Sequence, residues 1–163
     1  MFKIISVCLI LFSASMLACT QSSKLDASDP KRVLTEYISK SFSIKGIEGR
    51  AELVSLMTGD VQARLAGWSD NQFREAFVDS KREFIKLSFR EAKEISANEV
   101  QITYELSYLD RGKSKNGETL PNRESKVTDK KLCQMMRVEG KWYIADVRSI
   151  KELVEFKNEL SLP

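Results

Sequence analysis

Residues 132–149 read LCQMMRVEGKWYIADVRS, and how this stretch divides decides the fold. Glu139-Gly140 separates two runs of strand-forming residues, Leu132 to Val138 and Lys141 to Val147, so the spacing predicts a β-hairpin closed by a two-residue turn. With that turn, Val138 faces Lys141, and positions whose numbers sum to about 279 stand opposite one another. One face then carries Cys133, Met135, Arg137, Trp142, Ile144 and Asp146. The other carries Leu132, Gln134, Met136, Tyr143, Ala145 and Val147. A bulge would displace this assignment by one residue on one side. Both faces are substantially apolar, whereas a sheet with one solvated face normally alternates. Either the chain covers both sides of this hairpin or one side meets a partner.

Working backwards, residues 124–138 form the first arm, and the polar loop 110–122 (DRGKSKNGETLPN) precedes it. Val100, Ile102, Tyr104, Leu106 and Tyr108 alternate with Gln101, Thr103, Glu105 and Ser107, a half-buried strand. Asn98 marks a turn, and Ile85, Leu87 and Phe89 alternate with Lys86, Ser88 and Arg90 as another strand. Upstream the period becomes helical. Asp29-Pro30 is an N-cap followed by proline at the first helical position, and Val33, Leu34, Tyr37, Ile38 and Phe42 follow at helical spacing over about 30–42. A second helical stretch over about 47–65 carries Leu53, Val54, Met57, Val61 and Leu65, with Thr58-Gly59-Asp60 as a point where it divides. Ser69 to Gln72 reads as a capping box that opens a helix reaching about Lys81. Downstream of the hairpin, arm 141–149 ends and Ile150, Leu153, Val154 and Leu160 predict a short closing helix. Helices followed by an antiparallel meander make an α+β domain over 29–163: N-terminal helices on a curved antiparallel sheet of about four strands.

The element order, with MMRVEGKWYIADVRSI at its end, resembles the nuclear transport factor 2-like superfamily, in which a cone-like curved sheet wraps around N-terminal helices. A cystatin-like arrangement, with fewer helices on the same kind of sheet, is the competing resemblance. Homodimerisation through the sheet is what the first resemblance implies. It also implies a carboxylate-plus-tyrosine site of the kind its isomerases use. On the hairpin pairing above, Asp146 shares a face with Trp142, and Tyr104 and Tyr108 lie on the apolar face of their strand. A small lyase or isomerase would use these four residues. The competing reading puts Asp146 at a rim beside Arg148, with the tyrosines as amphipathic core residues.

The first residues are an address rather than structure. Lys3 precedes the apolar run Ile4 to Phe12, which is shorter than the ~20 residues a membrane-spanning helix needs. Ser15-Met16-Leu17-Ala18-Cys19 resembles a bacterial lipobox, with cleavage between Ala18 and Cys19 and acylation of Cys19. The alternative is a conventional secreted protein with a free or disulfide-bonded Cys19. Residues 1–18 are thus read as a lipoprotein signal peptide, and 19–28 as the lipidated cysteine and a polar tether. Several acyl chains anchor far more firmly than the one chain that holds only marginally. Thr20, rather than Asp, implies the outer membrane by the sorting rule of such lipoproteins, with the domain facing the periplasm. The membrane, reached through Cys19, is the first partner. A second copy or another envelope protein at the sheet is the second.

Composition narrows the chemistry. The chain of 163 residues has no histidine, which excludes Ser-His-Asp and Cys-His catalysis and the commonest transition-metal sites. No metal or cofactor is expected, and no catalytic motif is legible. The net charge of +3 is too mild to argue for nucleic acid. Basic residues between Arg111 and Lys131 form a modest positive lobe without interleaved aromatics, which is either a solvated hairpin end or a contact for anionic envelope material. Trp68 is packing or contact, and the sequence does not separate these. Cys133, left unpaired once Cys8 and Cys19 are spent, reads as a buried thiol. The function expected is that of a non-catalytic ligand- or protein-binding module anchored in the cell envelope.

Overall fold

The computed structural model describes residues 29–113 and 124–156. Helix α1 (Pro30–Ser43) begins as expected: the Asp29 carboxylate accepts from the Lys31 N–H at 2.9 Å. The long helical stretch divides at Thr58 into α2 (Gly49–Val54) and α3 (Gly59–Ala66). The link between them runs beside the sheet. Thr58 donates to the Ile144 carbonyl at 2.9 Å, and the Ile144 N–H donates to the Leu56 carbonyl at 2.9 Å. Helix α4 (Asp70–Phe73) opens on a complete capping box, the Gln72 side chain accepting from the Ser69 N–H and the Ser69 hydroxyl from the Gln72 N–H. It widens into a π-helical turn over Arg74–Val78, short of Lys81.

Four antiparallel strands follow in spatial order β1-β2-β3-β4: β1 (Ser80–Ser96), β2 (Glu99–Lys113), β3 (Ser125–Val138) and β4 (Lys141–Phe156). The architecture is α+β, with the helices preceding an open sheet. Leu34 and Ile38 of α1, Leu53, Met57, Val61, Leu65 and Phe73 meet Val100, Ile102, Tyr104 and Leu106 of β2. Cys133, Met135, Trp142 and Ile144 of the last hairpin complete the same buried cluster.

Three boundaries differ from the sequence reading, each through irregular pairing. Strand β1 is much longer than 85–90, because register shifts at four places break its alternation and disguise it. The expected polar loop 110–122 begins later, since β2 runs on to Lys113; the rest of that loop lies outside the described residues. The closing helix is instead the second half of β4, paired with β3 as far as Ser125↔Phe156. A register shift between Lys130 and Lys131 gives β4 an extra residue near Ile150, so its apolar positions recur at three- and four-residue intervals that imitate a helix. Leu160 lies outside the described residues.

The hairpin turn is as expected, with Glu139 at φ 50° and Gly140 at φ 82° in the left-handed region that a two-residue type I′ turn demands. Gly140→Ala adds a Cβ at that φ and is expected to cost ~1–2 kcal/mol. A lowered urea midpoint with an unchanged slope is the result to look for. No loss would mean the turn relaxes freely.

Candidate functional site

Pairing across the hairpin follows the expected register from Val138↔Lys141 to Met135↔Ile144 and then slips, so that Gln134 faces Asp146 and Cys133 faces Val147. Ala145 is the extra residue. The bulge turns Val147 towards the helices, where it packs against the core, and sends Asp146 to the outer face with Gln134. Asp146 therefore does not share a face with Cys133. Its side chain is 42% exposed and lies 3.7 Å from the Arg148 guanidinium, the rim arrangement.

The other three candidates are also apart. Trp142 is buried beneath the Arg137 guanidinium, beside a groove formed with Pro30, Lys31 and Val100. Tyr108 is half-buried, its ring 5.7 Å from that of Phe42. Tyr104 is 1% exposed and sits deep on the helix-facing side of β2. Ala18 and Cys19 lie outside the described residues.

What the fold assembles instead is a cleft between α1, the π-helical turn and the sheet. Tyr37, Ile38, Ser41 and Phe42 lie on one flank of α1, a turn apart, and form one wall. Ala76 and Phe77 close the side, and Arg82, Tyr104, Leu106, Lys131 and Val147 supply the sheet wall of a cavity of about 210 Å³. Arg82 Nη2 donates to the Ala76 carbonyl at 2.6 Å, and its guanidinium lies 5.8 Å from the Phe42 ring centre and 5.9 Å from that of Tyr108. Lys131 Nζ lies 2.8 Å from Asp129 Oδ2, which also accepts from the Ser149 hydroxyl at 3.0 Å. Asp129 is 2% exposed, and its Oδ1 has no hydrogen-bond partner among the described residues.

Burial raises the Tyr37 and Tyr104 hydroxyls above the usual tyrosine range, so both are neutral donors at physiological pH. Burial, with the Asp146 carboxylate adding a smaller push, raises the Cys133 thiol from 9.0 to about 12. The unfolded thiol ionises above its ordinary value while the folded one stays neutral. Stability present below about pH 9 is therefore lost as pH climbs towards 12, at ~1.4 kcal/mol per pH unit for this group. Urea melts at pH 8 and pH 10.5 should show this loss reduced in Cys133→Ala. An identical loss in the variant would assign the alkaline limb elsewhere.

The sequence reading placed Lys131 in a positive lobe rather than in a cleft, gave Asp129 no role of its own and did not name Arg82. The signal for the first two was parity: they share odd numbering with Cys133 and Met135 on β3, hence the same face. Arg82 stood at the end of an expected helix, with nothing to show that it heads a strand. Among the described residues no three His, Cys, Asp or Glu side chains cluster as a metal site, and no helix is long and apolar enough to cross a membrane.

No family model matches the chain, and no curated protein matches it in sequence. Solved structures match it in fold. The intermembrane space region of the chloroplast protein ARC6 superposes with a TM-score of 0.54 at 13% identity, over 77% of this chain and 97% of that one. A SEC-C motif containing protein from Rhodopseudomonas palustris gives 0.49 at 13% identity, over 77% of this chain and 82% of that one. At such identity the ARC6 likeness speaks to the fold alone.

Proposed function

We propose that this chain is a lipid-anchored protein of the bacterial cell envelope, a divergent nuclear transport factor 2-like domain acting as a non-catalytic binding module. Cys19 fixes it to the membrane, by Thr20 the outer membrane facing the periplasm, and residues 19–28 give it reach. The cleft takes the ligand. The observation that carries the binding reading is the character of that cleft: apolar side chains beside the convergent polar groups of Tyr37, Ser41, Arg82 and Tyr104, the Tyr104 hydroxyl having no hydrogen-bond partner among the described residues. The separation of Asp146 from Tyr104 weighs against turnover by that pair.

Two measurements test the proposal. Intact mass of the protein from membranes of a host with lipoprotein processing is expected to show a chain beginning at Cys19 with acyl chains, and Cys19→Ser is expected to stay unprocessed. A mature chain without lipid removes the anchor. For the module, NMR shifts of the cleft residues are followed on titration with small acids, amines and neutral aromatics. A response to none of them defeats the binding reading.

A further inference from the structure

Arg82 is the residue of the cleft that folding does not account for. Among the described residues no carboxylate pairs with it, whereas the neighbouring cation Lys131 is already neutralised by Asp129. Its one hydrogen bond, to the Ala76 carbonyl, and its place beside the Phe42 and Tyr108 rings hold the guanidinium still. A guanidinium so held keeps most of its five donors free in a fixed fork, the geometry that matches a carboxylate. Aromatic faces stabilise the cation but take none of those donors.

Tyr104 supplies the second observation. It is 99% buried, lines the same cleft, and its hydroxyl makes no hydrogen bond with any described residue. The Tyr104 oxygen is not one of the buried unpaired polar atoms, so it is open to the cleft, where water or an acceptor on a ligand completes it. The remaining lining is mixed: Ile38, Phe42, Phe77, Leu106 and Val147 supply apolar surface, and Tyr37, Ser41 and the paired Lys131 supply polar atoms. The volume of about 210 Å³ matches roughly seven waters at ~30 Å³ each. That is room for a single ring or a short chain. Arg82 also borders an adjoining groove with Glu75 and with Asp110, which stands opposite it across the β1–β2 pair; neither carboxylate lines this cleft.

We infer that the cleft binds a small carboxylic acid with a compact apolar body, an aryl or short alkyl carboxylate, its carboxylate on Arg82 and the Tyr104 hydroxyl and its body between Phe42, Phe77 and Leu106. This assignment rests on the binding-module reading above and names its ligand class. The cation and the hydroxyl supply the orientation, and the ring walls supply the area. A neutral amide of the same shape retains the area and forfeits the charge-assisted fork, which makes the pair a direct measure of what Arg82 contributes.

Benzoate and benzamide are titrated by calorimetry into the full-length chain at pH 7. Benzoate is expected to bind about tenfold more tightly than benzamide, the difference a hydrogen bond to a charged group carries. Arg82→Gln should abolish that preference. Tyr104→Phe, which keeps the buried ring and so the fold, should weaken benzoate several-fold while leaving benzamide little changed. Circular dichroism of each variant confirms folding, and if Arg82→Gln does not fold, Tyr104→Phe decides alone. Equal affinity for the two probes in the wild type, with cleft residues responding to both, overturns the acid assignment and leaves the binding module standing. Binding of neither probe overturns the acid assignment, and silence to the whole panel of small molecules takes the module with it. Benzoate affinity untouched by Tyr104→Phe and Arg82→Gln places the probe elsewhere and also overturns the inference.

Discussion

Phe73→Ala is expected to lower stability by about 3–5 kcal/mol, the range for deleting a fully buried aromatic ring. Phe73 is 0% exposed, its ring centre 4.9 Å from that of Phe77, and the Arg50 guanidinium lies 5.1 Å from it. The position is awkward to repair. Phe73 ends α4, held by the capping box behind it and running into the π-helical turn ahead, so the backbone has little freedom to move inward and fill the void. For a domain whose whole margin is 5–15 kcal/mol, the loss is a large share. The melting temperature is expected to fall by roughly 6–20 °C, at ~2–4 °C per kcal/mol for a chain of this size. Phe73→Leu keeps much of the volume and should lose far less. Because Phe77 leans on Phe73 and lines the cleft, the alanine variant should also weaken any cleft ligand. A loss below 1 kcal/mol would show that the π-helical turn collapses onto the gap after all.

Lys131→Met is expected to cost about 2–4 kcal/mol, somewhat below the figure for breaking a fully buried ion pair, because the lysine side chain is 25% exposed while Asp129 is almost entirely covered. The substitution preserves the stem and removes the charge. Among the described residues Asp129 is left with the Ser149 hydroxyl on Oδ2 and no partner on Oδ1, a carboxylate withdrawn from water with one hydrogen bond. The informative companion is Asp129→Leu with Lys131→Met. Removing both charges removes the desolvation penalty too, so the double variant should recover most of the loss and approach the wild type. Urea melts of the two single variants and the double give the coupling directly. A neutral Lys131→Met would mean that the pair holds nothing, and a double variant as poor as the single would mean that Asp129 serves packing rather than charge balance.

Much of the architecture was legible along the chain because it rests on local chemistry. Asp29-Pro30 capping α1, the reciprocal capping box of Ser69 and Gln72, and the left-handed turn at Glu139-Gly140 are each decided within four residues. Strand β2 was legible because its alternation from Val100 to Tyr108 is unbroken, as its pairing with β3 is. Where pairing slips, legibility went with it. The bulged edge strands β1 and β4 lost the period-2 signature, so one was read far too short and the other partly as a helix.

The candidate site shows the same division more sharply. Residue type by itself excluded histidine chemistry, and parity along β2 put Tyr104 on the inner face. Whether Asp146 joined it depended on a single extra residue at Ala145, and a one-residue slip moves every later side chain to the other face. Nothing near Ala145 in the sequence announces that slip, and the neighbouring Ile144 is bridged by Met57, a residue nearly ninety positions away. The meeting of Arg82 with Tyr37, Phe42 and Tyr104 is of this kind as well. The sequence alone determined which segments are helix-like or strand-like and where the chain turns, since caps, turns and regular alternation are short-range. The tertiary structure decided which face each bulged strand presents and which distant side chains share a cleft, since register and packing are settled between strands and helices rather than within them.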